Sequence, residues 1–459
     1  MPKTLIKNGT IISMDPDIED MPVGDLLIED DRISDIGKGI RAEDADVMDA
    51  SNMIVLPGLI NAHVHTWTTA LRGLGGNWAG WDFFRTVHRN LAPRYTPEDS
   101  YLSTLIGALN QVHGGTTTLF EWCHNNKTPA HTDATIDALF DSDIRAVFGH
   151  GTVKPKPKEG EPHFSEIPHP VEEIKRLRTG RLAIDDARVT PAVAILGPDY
   201  ATLEVTLHDF RLAREYGLLS SAHIWGREDR RVKEGYHRIA REGLLGPDHN
   251  VVHGNYLNDD ELRVIVDSGA SVTSTPNVEL QKNPVETLIG RVHALGGRPS
   301  IGADHEINLS GDMFHVMRYA LQTQRIFDNL KNAEARVPIK ELSVHARQAL
   351  EWATINNAKA LQLEDRIGSL TPGKQADITM IRTDGINTIS TNDPVQTVVF
   401  YANCSNVDTV FIAGRKVKSN GELLYSHAEL ERKKEQLLGS NRRLMQEAGL
   451  VVKVKTNDN

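Results

Sequence analysis

The segment Asn61-Ala62-His63-Val64-His65 closes an apolar run, and its two histidines stand two residues apart. Residues i and i+2 of a strand point to the same side. Two imidazoles therefore converge at the strand's end, as chelation of one cation requires. Three more polar side chains close apolar runs in the same way. They are His223 in Ser221-Ala222-His223, His253 in Val251-Val252-His253-Gly254, and Asp304 in Gly302-Ala303-Asp304. Singly, each reads equally well as a hydrogen-bonded rim residue. Together, four imidazoles and a carboxylate with no competing Cys cluster fit a Zn2+ or Fe2+ site.

The elements that must position these groups are short strands at residues 56–61, 116–122, 145–149, 188–195, 219–224, 250–254, 270–275 and 299–303. Helical patterns lie between them. In 99–112, Leu102, Leu105, Ile106 and Leu109 share a face; 261–267 and 284–295 are two more. Eight alternations over ~300 residues is the arithmetic of an α/β fold of the (β/α)8 TIM-type barrel, which gathers chemistry at the C-terminal ends of its strands. A doubly wound open sheet is the alternative. Both chain ends are strand-rich, at 4–12, 25–29 and 32–36 and at 376–381, 397–401 and 407–412. The expected organisation is a small β-sandwich domain from 1–55 plus 367–425, a catalytic barrel at 56–366, and a C-terminal helix and tail at 426–459. Long connections at 66–95, rich in Gly and Trp, and at 154–170, with Lys-Pro repeats, read as a pocket wall and a polar, mobile loop.

Composition excludes several partners. The 459 residues carry 51 Lys+Arg and 62 Asp+Glu, a net charge of 51 − 62 = −11, with no basic block. Nucleic acid and anionic membrane surfaces are therefore disfavoured. No apolar run approaches the ~20 residues of a membrane span, and no secretory segment opens the chain. Two cysteines, Cys123 and Cys404, make no disulfide framework. A cytoplasmic location and a homo-oligomeric state are expected.

The segment Pro57-Gly58-Leu59-Ile60-Asn61-Ala62-His63-Val64-His65 resembles the signature of the amidohydrolase superfamily. Gly115-Thr116-Thr117-Thr118 and the stretch Gly368-Ser369-Leu370-Thr371-Pro372-Gly373-Lys374-Gln375-Ala376-Asp377 are similar to further family motifs. The branch it most resembles holds cytosine deaminase and the triazine hydrolases of atrazine chlorohydrolase type. The resemblance implies that His63, His65, His223 and Asp304 bind one divalent metal, and that His253 hydrogen-bonds the hydrolytic water or the oxyanion. Two-metal branches place a carboxylated lysine or a Glu at the end of the fourth strand. Thr190-Pro191-Ala192-Val193-Ala194-Ile195-Leu196 has neither, so one ion is expected, Zn2+ before Fe2+ or Mn2+. Such an ion lowers the pKa of bound water from ~15.7 towards ~7. Asp304 can carry the proton to a leaving group, and His253 can stabilise the tetrahedral oxyanion.

The chain departs from the family at one point. Many deaminases of this branch carry a Glu three residues after the fifth-strand His, where this chain has Gly226. Glu228 and, in Thr275-Pro276-Asn277-Val278-Glu279, Glu279 are the substitute acids offered by the sequence. Trp67, Trp78, Trp81, Trp122 and Trp225 follow the first, second or fifth strand, and with His305 and His124 they suggest a flat, weakly polar pocket. The function expected is mononuclear metal-dependent hydrolysis of a non-peptide carbon–nitrogen bond in a small planar cyclic compound, through metal-bound hydroxide attacking an sp2 carbon. Hydrolysis of an amide, urea or carbamate is the alternative, as is triazine dechlorination. A non-catalytic barrel is disfavoured, because every expected ligand is present.

Overall fold

The computed structural model describes residues 3–283 and 285–450. Five strands open the chain: β1 (Lys3–Ile11), β2 (Met21–Glu29), β3 (Arg32–Gly37), β4 (Asp46–Asp49) and β5 (Met53–Pro57). Eight parallel strands follow: β6 (Leu59–Val64), β7 (Thr116–Cys123), β8 (Arg145–Gly151), β9 (Val189–Ile195), β10 (Ser220–Ile224), β11 (His249–His253), β12 (Ser271–Ser274) and β13 (Pro299–Ile301). Four more end the series: β14 (Ile378–Arg382), β15 (Val407–Ile412), β16 (Arg415–Ser419) and β17 (Glu422–Leu423).

β6 to β13 pair in sequence order, and the barrel closes where the Asp304 amide donates to the His63 carbonyl at 3.0 Å and the His65 amide to the Asp304 carbonyl at 2.7 Å. Two buried asparagines reinforce that seam. Asn61 Oδ1 accepts from the Ala303 amide at 3.1 Å. Asn357 bridges the carbonyls of Ile60 and Ile301 and accepts from the Ile301 amide. Gly302 lets the strands approach, since a Cβ there would lie 2.7 Å from the His63 carbonyl oxygen.

The terminal strands form one nine-stranded sheet in the order β17-β16-β15-β14-β5-β1-β2-β3, with β4 on β1. It joins both ends of the chain, because β5 pairs antiparallel with β14 in the register Ile378↔Pro57. A buried apolar set including Ile6, Leu26, Val55, Ile378 and Phe411 packs it. A buried ion pair ties this sheet to the barrel floor. Arg145 at the start of β8 forks onto Asp377, Nε to Oδ2 at 2.7 Å and Nη2 to Oδ1 at 3.0 Å, and Asp377 also accepts from the Ala413 amide.

The expected helix at 99–112 is observed as Pro97–His113, entered through a capping box between Thr96 and Asp99. The helix expected at 284–295 is observed at Ile289–Ala294, and Pro284 lies outside the described residues. The strand expected at 397–401 is instead a π-helical turn, Thr397–Tyr401. Asp393 caps the preceding turn and Pro394 occupies its first position, which is a helix-start signal that outweighs the β-branched run. The apolar side chains Val398 and Val399 are still buried, and Arg318 secures the carbonyls of Val399 and Ala402.

The long connection after β6 is not irregular. It contains a 3-10 helix, Thr66–Leu71, and a π-helix, Phe84–Leu91. The C-terminal helix, His427–Glu447, braces it: Asn441 Nδ2 donates to the Ala70 carbonyl at 2.6 Å, and Arg94 reaches the Glu447 carbonyl at 2.8 Å. Asn90 Nδ2 bonds the Ala448 carbonyl just beyond that helix, at 3.0 Å.

Candidate metal centre and its cavity

The barrel brings His63, His65, His223 and Asp304 together at the C-terminal mouth, with one ligand atom from each lying within 4.8 Å of the others. His223 Nε2 is 3.1 Å from His63 Nε2 and 3.2 Å from His65 Nε2. Asp304 Oδ1 is 3.2 Å from His65 Nε2 and 3.6 Å from His63 Nε2. Tetrahedral Zn–N bonds of about 2.0–2.1 Å set ligand atoms roughly 3.3 Å apart, so this donor set fits such an ion. The tautomer of His65 agrees: its Nδ1 donates to the Trp122 carbonyl, which leaves the Nε2 lone pair for the centre. Burial lowers the His63 imidazole to about 3, and it holds His223 well below its usual value, so both are neutral donors at pH 7. Burial opposes ionisation of Asp304. His305, His63 and His65 outweigh it and hold the carboxyl well below the carboxylate range.

Two site residues adopt left-handed backbone, His253 at φ 73° and Asp304 at φ 64°. Non-glycine residues pay for that conformation, and it concentrates at functional sites. His253 ends β11 with Nδ1 3.0 Å from Thr275 Oγ1 and 3.3 Å from Glu279 Oε1. Its ring lies flat on Trp225, at 4.2 Å between centroids and 6° between planes.

A cavity of about 130 Å³ opens over the cluster. Trp81, Phe83 and Phe84 form one wall, with His305 stacked on Phe83 at 4.6 Å. His88 and His124 line the side over His65, where His124 stacks on His65 at 4.4 Å. Tyr200, Trp225, Lys154 and Arg227 complete the lining, and Lys282 stands at the Phe83 side. Burial lowers His305 to about 3 and drives His88 and His124 well down, so these rings are uncharged.

Several expected site residues lie elsewhere. Glu228 is fully exposed and faces Lys233 at 3.6 Å, so it does not reach the cavity; the loop turns its side chain outward. Glu279 is wholly buried and accepts from the Thr275 amide at 2.7 Å and Asn255 Nδ2 at 3.3 Å. It sits behind His253 and does not line the cavity. Trp67 is fully buried in the core against Tyr95, and Trp78 packs against that core. Trp122 is buried behind His223, with 4.2 Å between ring centroids. Trp81, Trp225 and His305 do line the cavity.

Gly226 could not carry the missing Glu without a change of backbone. Its φ is +78°, and a Cβ would lie 2.7 Å from the Leu257 amide nitrogen. Asp199 pins this turn by accepting from the amides of Trp225 and Gly226 at 2.7 and 2.9 Å. Burial raises the Asp199 carboxyl to about 6. Sequence reasoning missed Asp199, Asn357 and the cavity role of Lys154. Only the last had a local signal, the Lys-Pro repeats.

The chain belongs to the amidohydrolase family, whose model matches residues 54–417. It is 26% identical over 433 residues to a 5-methylthioadenosine/S-adenosylhomocysteine deaminase of Pyrococcus furiosus, covering 93% of this chain and 97% of the relative. In fold it is similar to a triazine hydrolase variant, with a TM-score of 0.81 at 19% identity, over 97% of this chain and 100% of the other. It is also similar to an adenosine deaminase from Xanthomonas campestris solved with bound zinc, with a TM-score of 0.80 at 20% identity, over 98% and 99% of the two chains.

Proposed function

We propose that the protein is a mononuclear metal-dependent hydrolase that removes an amino group from a small planar heterocycle. One observation carries this reading: three imidazole Nε2 atoms and one carboxylate oxygen converge at the floor of an aromatic cavity in a barrel of this family. His63, His65, His223 and Asp304 would hold one divalent cation, and Zn2+ is the ion we assign because the chain's fold relative carries it. When bound, such an ion supplies hydroxide at neutral pH by lowering the pKa of water to ~7.

The remaining steps belong to the chain's own residues. Asp304 takes a proton from the attacking water and returns it to the leaving nitrogen. Thr275 and Glu279 engage Nδ1 of His253, so Nε2 is the ring nitrogen presented to the substrate, where in its protonated form it donates to developing negative charge. Glu279 acts here as the residue that positions His253. The aromatic walls take a flat ring and exclude water.

A second reading, hydrolysis of an amide, urea or carbamate, is favoured by a specific observation. Among the described residues, Asp304 is the single carboxylate lining the cavity, so no second carboxylic acid stands ready to protonate a ring nitrogen. Elemental analysis with an ammonia-release screen, after chelation and metal add-back, tests both readings. About one metal per chain and ammonia from a heterocycle supports the first. Metal without such ammonia, and turnover of an amide panel, supports the second, and halide release would point to dechlorination. A protein that binds no metal under add-back removes both.

The same reading takes residues 56–366 as the catalytic unit, 1–55 with 367–425 as the composite β-domain, and 426–459 as an appended helix and tail. It assigns a small-molecule substrate, a cytoplasmic location and a homo-oligomeric state, which sedimentation analysis checks. Both cysteines are free, and no described helix is long and apolar enough to cross a membrane.

A further inference from the structure

The cavity holds an unusual charge. Its charged lining is Lys154, Arg227 and Lys282 against Asp304, and the proposed ligand role already occupies Asp304. Lys154 is the most telling of the three. It is only 6% exposed and lines the cavity. Its ammonium rests over the Tyr200 ring at 4.6 Å and lies 5.9 Å from the Trp122 ring. Among the described residues no carboxylate lies within 4.0 Å of it, and no hydrogen-bond acceptor takes its protons, although the other buried cation of the barrel, Arg145, is forked onto Asp377. Taking an ammonium out of water without a partner costs several kcal/mol. Burial draws Lys154 down only to about 8, so it remains largely charged at neutral pH.

Arg227 adds to the same wall. Its guanidinium lies 5.3 Å from both the Trp225 and Tyr256 rings, and one arm donates to Asn283 Oδ1 at 2.8 Å. Tyr200 and Trp225 join the two cations: Trp225 Nε1 donates to the Tyr200 hydroxyl at 3.1 Å. The result is a rigid aromatic wall carrying two positive side chains that face an open space.

We propose that the substrate is an anion, a planar ring bearing a carboxylate that seats against Lys154 with Arg227 beside it. This places the ring across the aromatic walls and leaves its reacting carbon over His63, His65, His223 and Asp304. Lys154 is then a specificity residue that selects a carboxylate-bearing ring over its neutral analogue. It rests on the reading of the site as a carbon–nitrogen hydrolase only for what becomes of the bound ring; the charge preference is a binding property and is tested without turnover.

The test is calorimetric binding of nicotinate and nicotinamide, a matched planar pair differing in charge, to the metal-loaded protein and to its Lys154→Met and Lys154→Arg variants. The wild type is expected to prefer nicotinate by about tenfold or more, the range of one charge-assisted hydrogen bond. Lys154→Met should abolish the preference and Lys154→Arg should keep most of it. A preference that persists in Lys154→Met would show the carboxylate held without Lys154, by Arg227 or the metal ion, and would overturn the proposal. Equal binding of the two probes by the wild type, or binding of neither, also overturns it. If the protein proves unable to hold metal but still prefers nicotinate through Lys154, the hydrolase reading fails and the anion seat stands.

Discussion

The two ends of the barrel both bury charge, and they treat it differently. At the N-terminal end, Arg145 and Asp377 are each only a few per cent exposed and satisfy one another bidentately. At the C-terminal end, Lys154 is also buried and, among the described residues, has no carboxylate or hydrogen-bond partner, while three imidazoles point nitrogen lone pairs at one another. A pair that completes itself inside the fold serves the fold. Groups left incomplete there are complete only when something enters from solution, and that difference separates a structural cluster from a site.

The comparison is broken most severely at Asp304. Asp304→Asn keeps the shape but removes a ligand charge and the proton carrier. Activity in the ammonia-release assay should fall by about 10²–10⁴-fold, with metal content reduced in elemental analysis and little change in Tm. At the opposite end, Arg145→Ala should cost about 3–5 kcal/mol of stability by denaturant titration, because it strands the Asp377 carboxylate. Metal content per folded chain should be unchanged. The double variant Arg145→Met, Asp377→Leu should recover much of that loss, since apolar replacements need no partner.

Glu279→Gln should lower kcat by about 10–100-fold while leaving KM nearly constant. It loosens the partner of His253 and touches no cavity surface. An unchanged kcat would sink the positioning role.

The smallest effect has the opposite sign. Lys154→Met should stabilise the protein at pH 7 by about 2 kcal/mol, because the burial of an unpaired ammonium is relieved. The folded-state value of Lys154 lies near 8 against 10.5 for the free side chain. The unfolded chain therefore holds the proton more tightly, and the wild-type penalty is present in full below pH 8. It fades as pH rises from 8 to 10.5, so the Tm gap between wild type and variant should close over that window. A gap that is constant with pH would contradict a charged Lys154 in the folded protein.

Much of this molecule was legible in its sequence. Eight apolar runs followed by helical patterns specify the barrel, because a buried parallel strand must be apolar throughout and the return must be a helix. Polar residues closing such runs are conspicuous for the same reason, as His63, His65, His223, His253 and Asp304 are in this sequence. The run at 397–401 misled because β-branched residues suit a buried helical turn as well as a strand, and Asp393-Pro394 decided between them.

What the sequence determined alone was therefore periodic or terminal: alternation of elements, the identity of strand-end residues, and the absence of the acid at Gly226. The tertiary structure decided everything that depends on which way a loop turns. It turned Glu228 to solvent, buried Glu279 behind His253, drew Trp67 into the core with Trp78 packed against it, and brought Lys154 from a polar Lys-Pro stretch into the cavity. The physical reason is that strand register fixes side-chain direction residue by residue, whereas a loop's direction is set by distant partners such as Asp199 and the C-terminal helix.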